Sequence, residues 1–440
     1  KLFDHTPRPM EPDASDLERV AAWVASHDFE RVALQFPDEL LAGAARAAVR
    51  LQRALPGRKV FVLGDSPYGS SSVDEVGAEH YGADCIVKFG PSDQQRVSSV
   101  PVLFVFGRTP TAELRGSELT LALREHFGAA AVGASLVLVC DVALQHAAGH
   151  FAAALTDALE ALAGSAPPGD VLIAEPELEA SPGQDSLARW RDWRFGSVPS
   201  GAWWAALGPL ALAAAARPVR LRVCGRGLRP ARAQGPAEGV RLLPACCGFM
   251  YAGPADSALE RRLLLRYGHD SPVWRLDSTD GSAVRLHSDR LLMQRYRFVE
   301  LAKSAGVVGL LLCATGAAQG QALADRLEVL LRRAGRRVYR FLLGRPTAEK
   351  LGNFPEVECY VSLASPEHFP FDARDLHVPI CSPYELEVAL GAREWTGSYV
   401  ADLEELLQGP PPRGEAAEEA LAVQTLGAGA RVRSFAPGAG

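Results

Sequence analysis

The chain has 440 residues, a formal net charge of −6, and 48% hydrophobic and 22% charged residues, which is the balance of a globular protein with large buried cores. The slightly acidic charge excludes the cationic footprint of a nucleic-acid-binding protein, and no run reaches the ~18 consecutive apolar residues of a membrane-spanning helix. Eight cysteines scattered through this length do not form a secreted disulfide framework, so we expect a cytoplasmic protein that binds neither nucleic acid nor membrane.

Three stretches of the chain repeat one plan, in which a short apolar run, a helical segment and a second apolar run follow each other. The second run comes about thirty residues after the first, which is the size of a βαβ unit. The two strands of such a unit are parallel, and their crossover is right-handed. The near-continuous apolar strands indicate sheets that helices cover on both faces. The three units span residues 31–64, 135–174 and 306–344.

Further apolar runs extend the first and third units, at residues 84–90, 100–107 and 357–364. We therefore predict an α/β protein of three similar domains, each a small, mostly parallel sheet flanked by helices. The predicted domains span residues 17–132, 133–290 and 291–405. One large sheet that absorbs all three units is the alternative that the pattern leaves open.

Two regions do not fit this plan. Residues 181–239 form an irregular part of the second domain: the alternation of Arg220-Leu-Arg-Val-Cys224 is compatible with an edge strand, but the weak periodicity of the region assigns it no structure. Residues 406–440 are rich in proline and glycine, which predicts a disordered tail with a short helix at Glu415–Val423.

Ligands of open parallel sheets bind beyond the carboxyl ends of the strands. The segments predicted to lie there include Gln35-Phe-Pro-Asp38, Gly64–Ser72 and Gly90-Pro-Ser92. Turns and helix caps also explain each of these segments taken singly, with Asp38 and Asp74 at helix starts. The segment Gly64–Ser72 lacks both nucleotide-binding fingerprints, although its glycines and serines could form a phosphate-binding nest.

The sequence alone assigns neither a metal nor a catalytic triad. Most cysteines lie in apolar runs, which is typical of small buried side chains. Cys246 and Cys247 are adjacent, without the spacing of a zinc or iron–sulfur site. The chain also lacks a G-x-S-x-G nucleophile motif.

Four strand-end segments resemble the diphthamide-biosynthesis radical-enzyme family: Glu30–Leu41, Val62–Asp74, Gly344–Val357 and Ser382–Leu390. They are most similar to its eukaryotic second, accessory subunit. The G-R-P-T-x-x-K-L-x-N-F-P-E-V run at Gly344–Val357 is the most specific of the four. The resemblance covers residues 17–180 and 245–400.

The resemblance implies three similar α/β domains in pseudo-threefold arrangement. It also implies a heterodimer of this chain with a homologous catalytic subunit. In the family, that complex transfers the 3-amino-3-carboxypropyl group of S-adenosylmethionine to a histidine of translation elongation factor 2, the first step of diphthamide synthesis. A [4Fe-4S] cluster held by cysteines cleaves the S-adenosylmethionine. The second subunit supports this cluster and its reduction, for which the complex needs a small electron-donor protein.

The sequence departs from the family at the cluster ligands. The family's cysteines are expected after Tyr-Gly-Ser, after Phe-Gly-Pro and in a Leu-Ala-Cys-Pro run, where this chain has Ser72, Ser92 and Ser365. A hydroxyl is a hard donor and does not replace a thiolate on soft iron. We therefore expect no metal, no cofactor and no catalytic residue in this chain, with S-adenosylmethionine on the partner subunit.

The family-specific run Gly344–Val357 is expected to be structural. Gly344 permits a tight turn, Pro346 begins the next helix, and Phe354 anchors the loop before the following strand.

Two other functions stay open at this point. The chain could be an independent α/β transferase that binds a phosphorylated or nucleotide substrate at Gly64–Ser72, or a binding module without catalysis. Fold alone does not choose among them, because function depends on the site.

Overall fold

A computed structural model describes residues 12–64, 71–92, 97, 99–111, 116–127, 135–163, 171–182, 190–192, 220–224, 226–230, 247–277, 281–312, 318–343, 346–363, 378–397 and 399–408. Within these residues the strands form three separate sheets, so the alternative of one large sheet is wrong. None of the helices in these ranges is long and apolar enough to cross a membrane.

The first sheet has four parallel strands and one antiparallel edge strand. Its strands are β1 (Arg31–Gln35), β2 (Lys59–Val62), β3 (Cys85–Phe89), β4 (Val102–Val105) and β7 (Glu179–Ala180). Their order in the sheet is β2-β1-β3-β4-β7. Helices α1 (Ala14–Ser26) and α2 (Leu41–Ala54) bury apolar residues against one face, and α3 (Glu75–His80) covers the other. A short 3-10 turn, Asp38–Leu40, leads from β1 into α2.

The second sheet has a parallel centre, and the strand added directly to each side of that centre is antiparallel to it. The central strands are β5 (Ser135–Cys140), β6 (Val171–Glu175), β11 (Cys247–Ala252) and β12 (Val273–Leu276). The outer strands are β8 (Trp190–Asp192), β9 (Arg220–Val223), β10 (Arg226–Pro230) and β13 (Ala283–Leu286). The order is β13-β12-β11-β5-β6-β10-β9-β8. Its helices are α4 (Gly116–Phe127), α5 (Ala148–Ala163) and α6 (Ala258–Tyr267).

The third sheet is entirely parallel, in the order β15-β14-β16-β17. Its strands are β14 (Val307–Leu312), β15 (Arg337–Leu342), β16 (Cys359–Ser362) and β17 (Ile380–Cys381). The surrounding helices are α7 (Asp289–Ser304), α8 (Ala318–Arg333), α9 (Ala348–Leu351), α10 (Pro383–Ala389) and α11 (Leu403–Gln408).

One strand order recurs in all three sheets. The parallel strands run second, first, third, fourth, which is β2-β1-β3-β4, then β6-β5-β11-β12, then β15-β14-β16-β17. This confirms the predicted fold class of mostly parallel sheets flanked by helices. The three predicted βαβ units are present, each with its helix between its first two strands. The domain limits at 132 and 290 stay a prediction.

The irregular region differs from the prediction in one respect. Residues Arg220–Val223 form a strand, with which the alternation is compatible, but β9 lies between β10 and β8 and is therefore not at the edge. Helix α11 ends at Gln408, inside the segment predicted as a tail. Residues 409–440, including Glu415–Val423, lie outside the described residues.

A buried ion pair joins α7 to α10 beside the third sheet. The Arg295 guanidinium and the Glu385 carboxylate are 1% and 0% exposed, and two parallel bonds of 2.6 and 2.7 Å connect them. The Tyr399 hydroxyl donates to Glu385 at 2.9 Å, and Glu385 also accepts from the Ser382 amide at 2.8 Å. Burial acts to lower the pKa of Arg295, but the Glu385 carboxylate raises it above its ordinary value. The buried positive charge of Arg295 and the buried negative charge of Glu385 therefore compensate each other.

We expect Glu385→Leu to lower the free energy of unfolding by ~3–5 kcal/mol, because it leaves the Arg295 charge buried without its carboxylate. Urea unfolding of the purified variant measures this loss. The matched control is Glu300→Leu, which removes the exposed ion pair with Lys303, and we expect no measurable loss there. The double variant Arg295→Met/Glu385→Leu should regain most of the lost stability; a double variant as unstable as Glu385→Leu would contradict the explanation.

Candidate functional site

The side-chain amide of Gln35, the last residue of β1, holds the chain that enters α3. Gln35 is 1% exposed. Its Nε2 donates to the Ser72 carbonyl at 3.0 Å, and its Oε1 accepts from the Asp74 amide at 3.0 Å. One buried side chain therefore satisfies two backbone groups in a place away from water. These bonds fix Ser72 at the carboxyl end of the first sheet.

Asp74 and Glu75 anchor the start of α3. The Asp74 carboxylate accepts from the Gly77 amide at 2.9 Å and caps the helix, as predicted. A Cβ at Gly77 would lie 2.5 Å from Asp74 Oδ2, so a larger residue there would displace the carboxylate that caps the helix. Glu75 accepts from the amide and the hydroxyl of Ser99 at 2.7 and 2.8 Å. The carboxylate thereby joins α3 to the segment that leads into β4.

A lysine lies inside the first sheet, in a strand that the sequence pattern predicts as apolar. Lys88 is 0% exposed and stands opposite Gln35 in the register of β1 and β3. Two residues further, Gly90 has φ 84°, and a Cβ there would lie 2.9 Å from Pro37 Cγ. Ser92, which follows this turn, is also buried. The carboxyl ends of β1 and β3 thus gather buried polar side chains.

The second sheet repeats this arrangement with different side chains. Tyr251 in β11 corresponds to Lys88 in β3, because each stands two residues before the Gly-Pro pair that follows the strand. Tyr251 is fully buried, and its hydroxyl lies 2.7 Å from Ser257 Oγ. Ser257 in turn accepts from the Glu260 amide at 3.0 Å and caps α6. The tyrosine therefore fixes the start of a helix.

Cys140 is the last residue of β5, and Asp141 follows it at the carboxyl edge of the second sheet. The Asp141 carboxylate accepts from the Ala143 amide at 3.0 Å. Burial raises the pKa of Asp141, while the Ala143 bond and the Arg226 guanidinium act to lower it. Burial raises the pKa of Cys140 to about 12. Burial therefore favours the neutral thiol over the thiolate.

The family-specific run of the third sheet contains one difference from the prediction. Helix α9 begins at Ala348 with Thr347 as its cap, which accepts from the Lys350 amide at 3.4 Å. The expectation that Pro346 begins this helix is wrong, because threonine supplies the side-chain oxygen that proline lacks. Phe354 contacts Phe341 with ring centroids 4.6 Å apart, and it anchors the loop before β16 as expected. Gly344 lies outside the described residues.

The described cysteines do not offer a set of soft ligands. Five of them are buried: Cys85, Cys140, Cys224, Cys359 and Cys381. The sulfur atoms of Cys359 and Cys381 lie 3.3 Å apart in adjacent strands, and the hydrogen bond between them together with burial raises the pKa of Cys381. Within the described ranges, no group of three His, Cys, Asp or Glu residues could hold a metal ion. Cys246 and Cys313 lie outside those ranges.

Two of the three candidate ligand positions lie at the carboxyl edge of the first sheet. Ser72 and Ser92 are 7% and 2% exposed, and they follow β2 and β3. Ser365 and residues 65–70 of the Gly64–Ser72 segment lie outside the described residues. A [4Fe-4S] cluster requires thiolates, and buried hydroxyls are hard donors. The residues present at positions 72 and 92 therefore do not fit such a cluster.

Two buried residues at this carboxyl edge do not follow from the sequence motifs. Gln35 belongs to a predicted strand-end segment, but nothing in the segment indicates that its amide binds the chain after β2. Lys88 interrupts the apolar run Cys85-Ile-Val-Lys-Phe89, and this interruption is the signal that could have found it. A lysine is almost never fully buried unless it is paired.

A family model describes most of this chain. The model of the diphthamide synthesis proteins matches residues 36–182 and 237–400. The gap between the two matched ranges contains most of the irregular region between β7 and β11.

Vertebrate relatives match the chain over nearly its whole length. The 2-(3-amino-3-carboxypropyl)histidine synthase subunit 2 of Gallus gallus is 32% identical over 421 residues, which cover 94% of this chain and 76% of the relative. The protein of the same name from Homo sapiens is 33% identical over 398 residues, covering 87% and 70%.

A solved structure has the same fold. The crystal structure of Dph2 from Pyrococcus horikoshii with a 4Fe-4S cluster matches with a TM-score of 0.54 at 19% identity. The match covers 89% of this chain and 94% of that one. At this identity the similarity is evidence for the fold alone.

We expect Gln35→Leu to lower the free energy of unfolding by ~2–4 kcal/mol, because it leaves the Ser72 carbonyl and the Asp74 amide buried without partners. Chemical denaturation measures the change. The matched control is Gln52→Leu: the Gln52 amide makes the same pair of bonds, to the Arg58 carbonyl and the Val60 amide, on the exposed surface. Water replaces these surface bonds, so the control should lose less than about 1 kcal/mol. Equal losses in the two variants would contradict the role of the Gln35 bonds.

Proposed function

The chain belongs to the diphthamide synthesis family, and from this premise we propose that it is the accessory subunit of a heterodimeric transferase complex. The complex transfers the 3-amino-3-carboxypropyl group of S-adenosylmethionine to a histidine of translation elongation factor 2. The similarity to subunit 2 of the histidine synthase over 94% of the chain carries this proposal. The homologous catalytic subunit binds the S-adenosylmethionine, and the complex acts in the cytoplasm.

The donor chemistry of the first sheet supports a role without catalysis. Ser72 and Ser92 present hydroxyls where a cluster would require thiolates. The Ser72 segment is instead held by the Gln35 amide and by the cap of α3. A chain built in this way contributes a folded surface rather than reacting groups. It supports the partner's cluster and the access of a small electron-donor protein.

We expect the chain, co-expressed anaerobically with its homologous catalytic subunit, to purify as a heterodimer with about four irons rather than about eight. The heterodimer should modify elongation factor 2 with dithionite as the reductant, because the partner holds the reacting centre. Iron analysis and mass spectrometry of the factor measure both results. The control is the chain purified alone, which should bind no cluster and transfer no group. A chain that binds about four irons by itself, or that modifies the factor without a partner, would overturn the proposal.

We expect the triple variant Ser72→Cys/Ser92→Cys/Ser365→Cys to acquire iron, because it restores thiolates at the three family positions. With a physiological electron donor, its heterodimer should modify the factor faster than the unsubstituted one. The matched control places three cysteines on exposed helix positions, Ser15→Cys/Ser26→Cys/Ser304→Cys, and should bind no cluster. Equal rates for the triple variant and the unsubstituted chain, with the iron bound, would argue against a role of this subunit in electron supply.

A further inference from the structure

The strand β15 forms the outer edge of the third sheet. It pairs in parallel with β14 over its whole length, from Arg337 opposite Val307 to Leu342 opposite Leu312. Within the described part of the chain, no strand pairs with its other side. Six residues in register make β15 the longest outermost strand among the described sheets.

The backbone of β15 shows which groups point outward. The amides of Arg337 and Leu343 donate to β14 and its flanks at 3.0 and 3.1 Å. The direction of backbone groups alternates along a strand, so the N–H and C=O groups of Val338, Arg340 and Leu342 point away from β14. None of these three amides has a hydrogen-bond partner within the described residues. The edge therefore presents three donors and three acceptors.

The side chains of β15 do not protect this edge. Native edge strands are usually blunted by charges, prolines or bulges. The one charge in the middle of the strand, Arg340, is instead turned onto α8, where it pairs with Asp325 at 2.7 Å and with Glu328. Tyr339 and Leu342 are 43% and 68% exposed. An open edge with exposed apolar side chains is a site for strand addition.

The other two sheets show how this kind of edge is covered. In the second sheet, the strand that corresponds to β15 is β6, and β10 pairs antiparallel with it from Gly227 opposite Glu175 to Pro230 opposite Leu172. In the first sheet, the corresponding strand β2 is shorter, and the side chain of Gln52 accepts from its outward Val60 amide at 3.1 Å. The repeat therefore accommodates an antiparallel strand at this edge, and β15 is the one described copy without such cover.

The positive charge around β15 favours an acidic strand as the occupant of this edge over a second copy of the chain. Residues 332–342 contain five arginines and no acidic residue, and two of the five, Arg332 and Arg340, pair with Glu328 and Asp325 of α8. Two copies of this chain joined through β15 would bring both arginine clusters together, which is electrostatically unfavourable. A strand with acidic side chains would face Arg337 favourably.

We infer that the open edge of β15 binds an extended, acidic strand of the homologous catalytic subunit, in antiparallel pairing. This inference rests on the proposed function, because it takes the heterodimer as given. It adds the surface through which the two subunits meet. Backbone bonds to Val338, Arg340 and Leu342 hold the strand, and Tyr339 and Leu342 bury their exposed side chains against it.

The first test is amide hydrogen exchange of this chain, free and in the assembled heterodimer. The amides of Val338, Arg340 and Leu342 should exchange about tenfold more slowly in the heterodimer. The outward Val62 amide of β2 is the internal control and should not change. An active heterodimer in which the β15 amides exchange as in the free chain would overturn the inference and leave the proposed function intact.

The second test is Leu342→Pro, which removes an outward N–H without breaking the pairing with β14, since proline is tolerated on an edge strand. The heterodimer should weaken by about tenfold or more. The matched control is Val62→Pro, the corresponding outward position in β2, and it should bind as the unsubstituted chain does. Leu342→Thr removes the apolar side chain but keeps the N–H, so it should weaken binding less than the proline variant. Thermal unfolding verifies that each variant folds.

The outcomes separate the two proposals. A Leu342→Pro variant that folds and binds the catalytic subunit as tightly as the unsubstituted chain would overturn the inference alone. A free chain that sediments as a dimer with protected β15 amides would also overturn it, because a second copy would then be the occupant. Failure of the unsubstituted chain to bind the catalytic subunit at all would overturn the proposed function itself.

Discussion

Parallel pairing is the physical constraint on which the rest of this structure depends. Parallel neighbours cannot be joined by a tight turn, so a helical crossover follows and covers a face of the sheet. In all three sheets this gives the order second, first, third, fourth. Within each sheet, the carboxyl ends of the parallel strands then lie along the same side, and the polar side chains gather there. The second parallel strand of each sheet becomes the outermost one of that set, so its outward backbone groups need cover. Strand β10 covers β6, the Gln52 side chain covers β2, and another chain is left to cover β15.

The fold was largely predictable because long, apolar elements carry their own signal. The helix of each βαβ unit and its flanking strands lie where the periodicity places them. The strands that periodicity did not predict are short, or they form only because they pair with a strand far away in the sequence. Strand β17 has two residues, too few for a pattern, and β10 is a strand because β6 offers its edge. The Thr347 cap was missed because the adjacent Pro346 is an equally good signal for a helix start.

The candidate site was predictable in position but not in its contacts. The predicted strands placed Ser72 and Ser92 after β2 and β3, where the structure has them. The amide of Gln35 bonds to residues 37 and 39 positions away, and no local pattern encodes such a distance. Lys88 and Tyr251 occupy corresponding places although they share no chemistry. Only the Gly-Pro pair after each strand relates them, and it becomes informative once the strand order is known.

The extension of the second sheet has a consequence for how such chains diverge. Strands β8, β9 and β10 were added outside β6, so their presence leaves the register of the inner strands unchanged. One extra residue within β11 would instead move Tyr251 to the opposite face of the sheet. Insertions and deletions should therefore accumulate between β7 and β11 during evolution, while the inner strands keep their length. A reporter domain inserted between β8 and β9, away from the pairing of β10 with β6, should be tolerated for the same reason.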